Sequence, residues 1–334
     1  MCLVVLVCYG LSSCRTSVQL PSITPEETGL NLIKITDETK GSVISSPLLG
    51  SSAWKPAQQA LGTNEKANVR WYTHRLLAVS PDGSEIAYLT RNKDHDNIMV
   101  RSTVGSAAAT QRTFRNVNGF SWGNDNNLYF IDNVDQNNRK VCSVNAHAGT
   151  FIQQLTSNNS DADPVLSPDG KKVFFTRLTE GSAPSIWSYN LENGQLINCA
   201  VGYNVAGINE DGTEFICVRN SEAGNSEIWR VNYVTGRETV ILSDSERSYT
   251  HPSLSPDGQW LLVAGNSQSS INKRKNLDIF AVKLDGSAFT QLTYHPEDDM
   301  NPQWSPDGSS IYFISSRANK DKRFNVWKMN FRPY

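Results

Sequence analysis

The sequence predicts an all-β fold, a six-bladed β-propeller of four-stranded antiparallel blades whose ring is closed by an N-terminal strand. Three observations point there. One turn motif returns six times at blade-length intervals, an apolar run follows each return, and the last return leaves too little chain to finish its blade.

Ser80-Pro81-Asp82-Gly83, Ser167-Pro168-Asp169-Gly170, Ser255-Pro256-Asp257-Gly258 and Ser305-Pro306-Asp307-Gly308 are identical tetrads. Ser121-Trp122-Gly123-Asn124-Asp125 and Asn209-Glu210-Asp211-Gly212 read as eroded copies. Anchored on residues 80, 121, 167, 209, 255 and 305, the copies lie 41, 46, 42, 46 and 50 residues apart. A four-stranded blade takes about 40–50 residues. Pro presets φ for the first corner of a type I turn, Asp accepts backbone N–H groups across it, and Gly takes the left-handed conformation that closes the hairpin.

Each motif follows a short strand that ends in a bulky residue: Val79, Phe120, Leu166, Ile208, Leu254 or Trp304. An apolar run follows at 86–89, 128–131, 173–175, 215–218, 261–263 and 311–314, as expected of strands buried on both faces between stacked blades. Third strands are expected at 97–100, 140–144, 185–189, 227–231, 278–282 and 325–329. A fourth follows in five repeats, most clearly at 152–156 and 290–293. The sixth repeat lacks one, and residues 31–37 carry the missing pattern, so this segment is expected to close the ring.

The repeats resemble the WD40-like repeats of TolB-type propellers. The closest stretch is Pro302-Gln303-Trp304-Ser305-Pro306-Asp307-Gly308, followed by Ile311-Tyr312-Phe313-Ile314-Ser315-Ser316-Arg317. The resemblance covers residues 74–334, with closure reaching back to about residue 31. It implies a fold, and a fold does not fix an activity. It further implies a stand-alone TolB-like propeller, not TolB itself, whose propeller follows a substantial α/β domain that residues 15–73 do not supply. Related propellers are joined to prolyl-oligopeptidase-type hydrolase domains. No Gly-x-Ser-x-Gly elbow occurs here, which argues against a serine peptidase.

Residues 3–9 form an apolar run of signal-peptide length, ending in Leu11-Ser12-Ser13-Cys14. That ending resembles a bacterial lipobox, although no Lys or Arg precedes the run. The expected organisation is a lipoprotein signal peptide at 1–13, a tether at 14–29, and a single propeller at 30–334 with its closing strand at 30–37. A lipid on Cys14 would hold the protein to a membrane without spanning it. No other cofactor is expected.

Charge is nearly balanced, 31 Lys+Arg against 33 Asp+Glu, which argues against a nucleic-acid partner. Beyond Cys14, only Cys142, Cys199 and Cys217 remain, each in a strand-like run, so buried free thiols are expected ahead of a Cys199–Cys217 bridge.

Candidate functional residues lie on the face away from the tetrad turns, where loops vary most. The expected binding rim comprises His74, Asp163, His251, Asn301, Lys273, Arg274, Arg317 and Lys320. The segments 272–276 and 317–323 would make a basic patch, and the blade links at 161–163, 246–251 and 297–299 add acids and a His. The plainer reading of any one charged loop is a solvated turn. The five His share no His-x-x-x-His spacing and are out of phase with the motif, so no metal site is expected. Asp94-His95-Asp96-Asn97 and Asp132-Asn133-Val134-Asp135 lack the glycine and final Glu of a calcium loop and read as turns. Trp187, Trp229 and Trp327 recur at one strand position, which favours packing over sugar stacking, while Trp54 is the better candidate for an exposed contact.

Together these features lead to the expectation of a non-catalytic scaffold that binds envelope proteins, periplasmic and lipid-anchored, at the outer membrane of a Gram-negative bacterium. A glycan-binding or polysaccharide-lyase-like propeller with a channel-mouth site at His74 and His251 is the alternative.

Overall fold

The computed structural model describes residues 23–37, 74–92, 95–105, 107–133, 139–148, 151–157, 160–179, 182–221, 225–268, 275–317 and 324–332. Cys14, Trp54, Lys273, Arg274 and Lys320 lie outside the described residues. The strands form six four-stranded antiparallel sheets. Their inner strands are Leu77–Val79, Val117–Trp122, Asp161–Leu166, Tyr203–Ile208, Tyr249–Leu254 and Asp299–Trp304. In five blades the strands follow one another outward in chain order, as the repeat predicts.

Each intact tetrad satisfies its own polar groups. In the first, the Gly83 N–H donates to the Ser80 carbonyl at 2.9 Å, and Asp82 Oδ1 accepts from Ser80 Oγ at 2.6 Å and from the Ser84 N–H at 3.0 Å. Ser80 Oγ in turn accepts from the Glu85 N–H, which starts the next strand. Gly83, Gly170, Gly258 and Gly308 all take φ between 68° and 74°. In the fourth blade Asn209 Oδ1 replaces the serine hydroxyl, accepting from the Thr213 and Glu214 N–H groups.

The second blade corrects the sequence register. Its turn is Gly123-Asn124-Asp125-Asn126, closed by the Asn126 N–H on the Gly123 carbonyl at 3.1 Å, with Asn126 left-handed at φ 62°. The equivalent of the tetrad serine is therefore Gly123, not Ser121, and the bulky residue before it is Trp122, not Phe120. Re-anchored there, the two neighbouring spacings become 43 and 44 residues. A side chain at 123 would collide with Asp125, Leu166 and Tyr129, which explains the erosion.

The second strands form the core: Ile86–Leu89, Leu128–Ile131, Val173–Phe175 and Ile311–Ile314 are buried throughout. Hydrophobic clusters bridge blades instead of filling each one separately. Tyr88 and Ile98 of the first blade share a cluster with Phe130 of the second and with Tyr312, Ile314 and Val326 of the last. The buried thiols Cys142 and Cys217 and the partly buried Cys199 are all free.

The sixth sheet runs Ile33–Lys34, Asn325–Asn330, Ser310–Ser315, Asp299–Trp304, so the N-terminal segment supplies its outer strand. The geometry copies the other blades. Thr156 Oγ1 accepts from the Val141 N–H and Thr293 Oγ1 from the Ile279 N–H; in the last blade Thr36 Oγ1 accepts from the Val326 N–H at 2.9 Å. Ile35-Thr36 is thus the counterpart of Leu155-Thr156 and Leu292-Thr293.

A buried ionic cluster fastens this closure. The short helix Pro25–Leu30 carries Glu27 into the last blade. There Glu27 accepts from Arg317 Nη1 at 3.1 Å and Nη2 at 3.0 Å, from the Thr24 N–H at 3.0 Å and from the Tyr294 N–H at 2.8 Å. Arg317 also pairs with Asp299, and all three side chains are fully buried. Residues 24–29, expected as tether, are therefore part of the folded ring. Arg317, expected on a solvent-facing basic rim, is a closure residue.

Burial pushes the Glu27 carboxyl up, but the Arg317 charge and the two N–H donors outweigh it and hold the group below its ordinary range. Nearby Asp278, which accepts from Ser267 Oγ and from Gln291 Nε2, is pushed up to about 8 by burial and by the Asp299 charge.

Removing one partner of a buried ion pair strands the other charge. Glu27→Ala should therefore cost about 3–5 kcal/mol of stability, read as a large fall in melting temperature; an unchanged melt would show the cluster does not fasten the ring. A raised carboxyl holds its proton more tightly folded than unfolded, so the stability Asp278 contributes is full below its unfolded value and is lost as pH rises toward about 8. Asp278→Asn should gain on the wild type steadily between pH 5 and about pH 8 and then level off, and parallel melting curves between pH 5 and pH 8 would contradict this.

Candidate functional site

On the face opposite the tetrads, five inner strands share one backbone feature. Gly119, Asp163, Asn204, His251 and Asn301 are left-handed, with φ of 78°, 48°, 51°, 51° and 53°. Four of them lie four residues before the tetrad serine or its equivalent, and Asn204 five. Pairing with the second strand slips at this point in each of the five blades, between Val117/Phe120, Ala162/Val165, Tyr203/Gly207, Thr250/Ser253 and Met300/Gln303. This is a β-bulge, which bends the strand and re-aims one side chain. The left-handed region costs a non-glycine residue roughly 1–2 kcal/mol, least for Asn and Asp, which matches the residue types found.

The first blade has no such bulge and contributes His74-Arg75-Leu76 instead. This segment reaches four other blades. Phe120 N–H donates to the Arg75 carbonyl at 3.1 Å. His74 Nδ1 lies 3.0 Å from Asp163 Oδ1, which also accepts from the Arg75 N–H at 3.3 Å. Arg75 Nη2 donates to the Val205 carbonyl at 2.8 Å, and the Leu76 N–H donates to Asn301 Oδ1 at 2.9 Å. Gly119 makes this crossing possible. A Cβ there would stand 2.8 Å from Asp163 Oδ1 and 3.0 Å from His74 Cβ.

Around this crossing lies a small, partly open cleft with room for about one water, lined by Arg75, Asp163, Asn204, His251, Pro252, Asn301 and Gln303. Its walls come from five blades, so it sits on the ring axis at the channel mouth. Burial drops His251 to about 3, reinforced by the Arg75 and His74 charges against the opposing Asp163, so the imidazole is neutral. Burial also lowers Arg75, with Asp163 opposing. Among the described residues, no group of three His, Cys, Asp or Glu side chains is placed to hold a metal ion.

The structure thus brings His74, Asp163, His251 and Asn301 together and places Arg317 elsewhere. The sequence reading missed Arg75, Asn204, Gln303 and the permissive Gly119. The signal was present in the recurrence of Gly, Asp, His and Asn at one offset from the tetrads. These are the residues that enter left-handed backbone most easily. The recurrent tryptophans are packing residues, each covered by the Arg ten positions earlier. Arg177, Arg219 and Arg317 stand 4.6, 4.8 and 5.8 Å from the ring centres of Trp187, Trp229 and Trp327.

Comparison with known proteins agrees with this architecture. Residues 74–272 match the family model described as TolB beta propeller domain. A TolB homolog from Chlorobium luteolum is 24% identical over 59% of this chain and 33% of its own length. The chain spans between a third and about half of the length of such curated relatives. The solved structure of TolB from Acinetobacter baumannii aligns with a TM-score of 0.59 at 18% identity, covering 75% of this chain and 65% of that one. An oligogalacturonate lyase from Vibrio parahaemolyticus aligns with a TM-score of 0.55 at 11% identity, covering 92% and 95%. At such identities these structures establish the fold alone.

Gly119→Ala forces a Cβ into left-handed backbone and against the His74–Asp163 pair. It should cost about 1–3 kcal/mol and alter the His74 imidazole resonances. Wild-type stability with unchanged His74 signals would refute the role given to this glycine.

Proposed function

The chain belongs to the TolB beta propeller domain family, and on that premise we propose that it is a non-catalytic protein-binding scaffold of the bacterial cell envelope. In this reading the protein is periplasmic, a lipid on Cys14 tethers it to the outer membrane, and the channel mouth is the docking surface. One observation carries the reading: the polar groups of the mouth are fixed before any partner arrives. His74 is set on Asp163, Arg75 on Val205 and Asn301 on Leu76, each by a bond between different blades. Preorganised polar groups around a concavity lose little entropy when a partner docks.

A second reading, glycan binding or lyase-type cleavage, draws on His74 and His251 standing at one mouth and on the likeness to an oligogalacturonate lyase. Burial keeps His251 neutral near pH 7. Arg177 and Arg317, which could have met acidic sugars, are already paired with Asp161, Glu27 and Asp299.

A photo-crosslinking residue at Gln303, on the mouth, should trap a discrete envelope protein in living cells. The same residue at Glu192, in an exposed turn on the tetrad face, should not. Equal products from both positions, or unsaturated sugars released from an acidic polysaccharide, would turn the assignment away from a protein scaffold.

A further inference from the structure

Among the described residues, the mouth holds a cation without an ion pair and an amide donor without an acceptor. Arg75 is half-buried, and among the described residues its guanidinium makes one hydrogen bond, to the Val205 carbonyl, and no ion pair. The acid whose charge reaches it, Asp163, has Oδ1 engaged by His74 and by the Arg75 backbone. That charge does not offset the burial of Arg75, which stays below its ordinary value. Asn301 is fully buried and lines the same cavity. The Leu76 N–H fixes the orientation of its amide, because only Oδ1 can accept from it. Among the described residues Nδ2 is then a donor with no partner, and an unmet buried donor is costly.

We propose that Arg75 and Asn301 Nδ2 form a subsite for one carboxylate, supplied by a glutamate or aspartate side chain of the docking protein. Arg presents parallel N–H groups that fit a carboxylate, and the orphaned amide donor adds a further bond. The neutral His251 beside them contributes no competing charge. A single acidic side chain fits better than a uronic-acid chain, which repeats its carboxylate on every sugar. Among the described residues lining the cavity, Arg75 is the only arginine or lysine. The proposal rests on reading this mouth as a protein-docking surface and names the chemistry it selects.

The test is NMR of the labelled protein at pH 7, with chloride holding ionic strength constant. N-acetyl-glutamate amide should shift the Arg75 Nε–H and Asn301 Nδ2–H signals saturably, and N-acetyl-glutamine amide should not. Arg75→Gln should abolish the response. Arg75→Lys keeps the charge without the fork and should bind at least about tenfold more weakly, which preserves the test if the glutamine variant misfolds. Equal shifts from both amides, or undiminished binding by Arg75→Lys, would overturn the subsite. Tighter binding of trigalacturonate than of the glutamate probe would overturn the choice of a peptide. A crosslink at Gln303 without any carboxylate response would leave protein docking standing and remove this subsite alone.

Discussion

Arg317 lies between Glu27, brought in by the N-terminal segment, and Asp299, on the inner strand of the last blade. Its guanidinium also rests on Phe313 and Trp327. A buried guanidinium is tolerable only with partners on every side, so the two ends of the folded ring must meet for this residue to be stable. Much follows from that meeting. It holds the last blade against the first, where Tyr312, Ile314 and Val326 join the cluster of Tyr88 and Ile98. It thereby sets Asn301 on the Leu76 N–H and defines one wall of the mouth.

The two faces of the disc are built by different means. On one, each tetrad satisfies its polar groups within a few residues of chain, so each turn is complete whatever its neighbours do. On the other, bulged left-handed residues turn inward, and Asp163 and Asn301 accept bonds from the first blade's His74-Arg75-Leu76 segment. Blade-to-blade bonding makes the mouth a property of the whole ring, and it also concentrates the conformational cost of the fold there. Strained backbone, a neutral buried histidine and a half-buried arginine without an ion pair among the described residues all occur around one cleft. Among the described residues, the tetrad face has no counterpart to this combination.

Local chemistry was legible in the sequence, and convergence from several blades was not. The turns, the apolar second strands and the closing role of residues 31–37 could all be read because each depends on neighbours in sequence or on a repeated period. The erosion at Gly123 misled the register because its cause, crowding by Leu166 of the next blade, is a tertiary contact. Arg317 read as a surface charge because its partners lie 18 and 290 residues away. His74 and His251 stood out because each lies just before an inner strand, and Asp163 because it lies in a blade link, while Arg75, in the same segment as His74, was missed. Nothing local marks an arginine whose side chain ends against the Val205 carbonyl, 130 residues on.

The closing strand has a consequence for how the molecule is made. Five sheets can zip from hairpins as soon as their residues emerge, since each strand pairs with the next in order. Ile33–Lys34 must wait for Asn325–Asn330, almost the whole chain later. Until then the nascent protein is an open crescent with one bare edge and one loose complementary strand, the arrangement from which subunits exchange identical segments. At high concentration a neighbouring copy's N-terminal strand competes for that edge. Dilution during refolding then decides between a closed monomer and an entwined pair, with the buried Glu27–Arg317 contact formed within one molecule or between two.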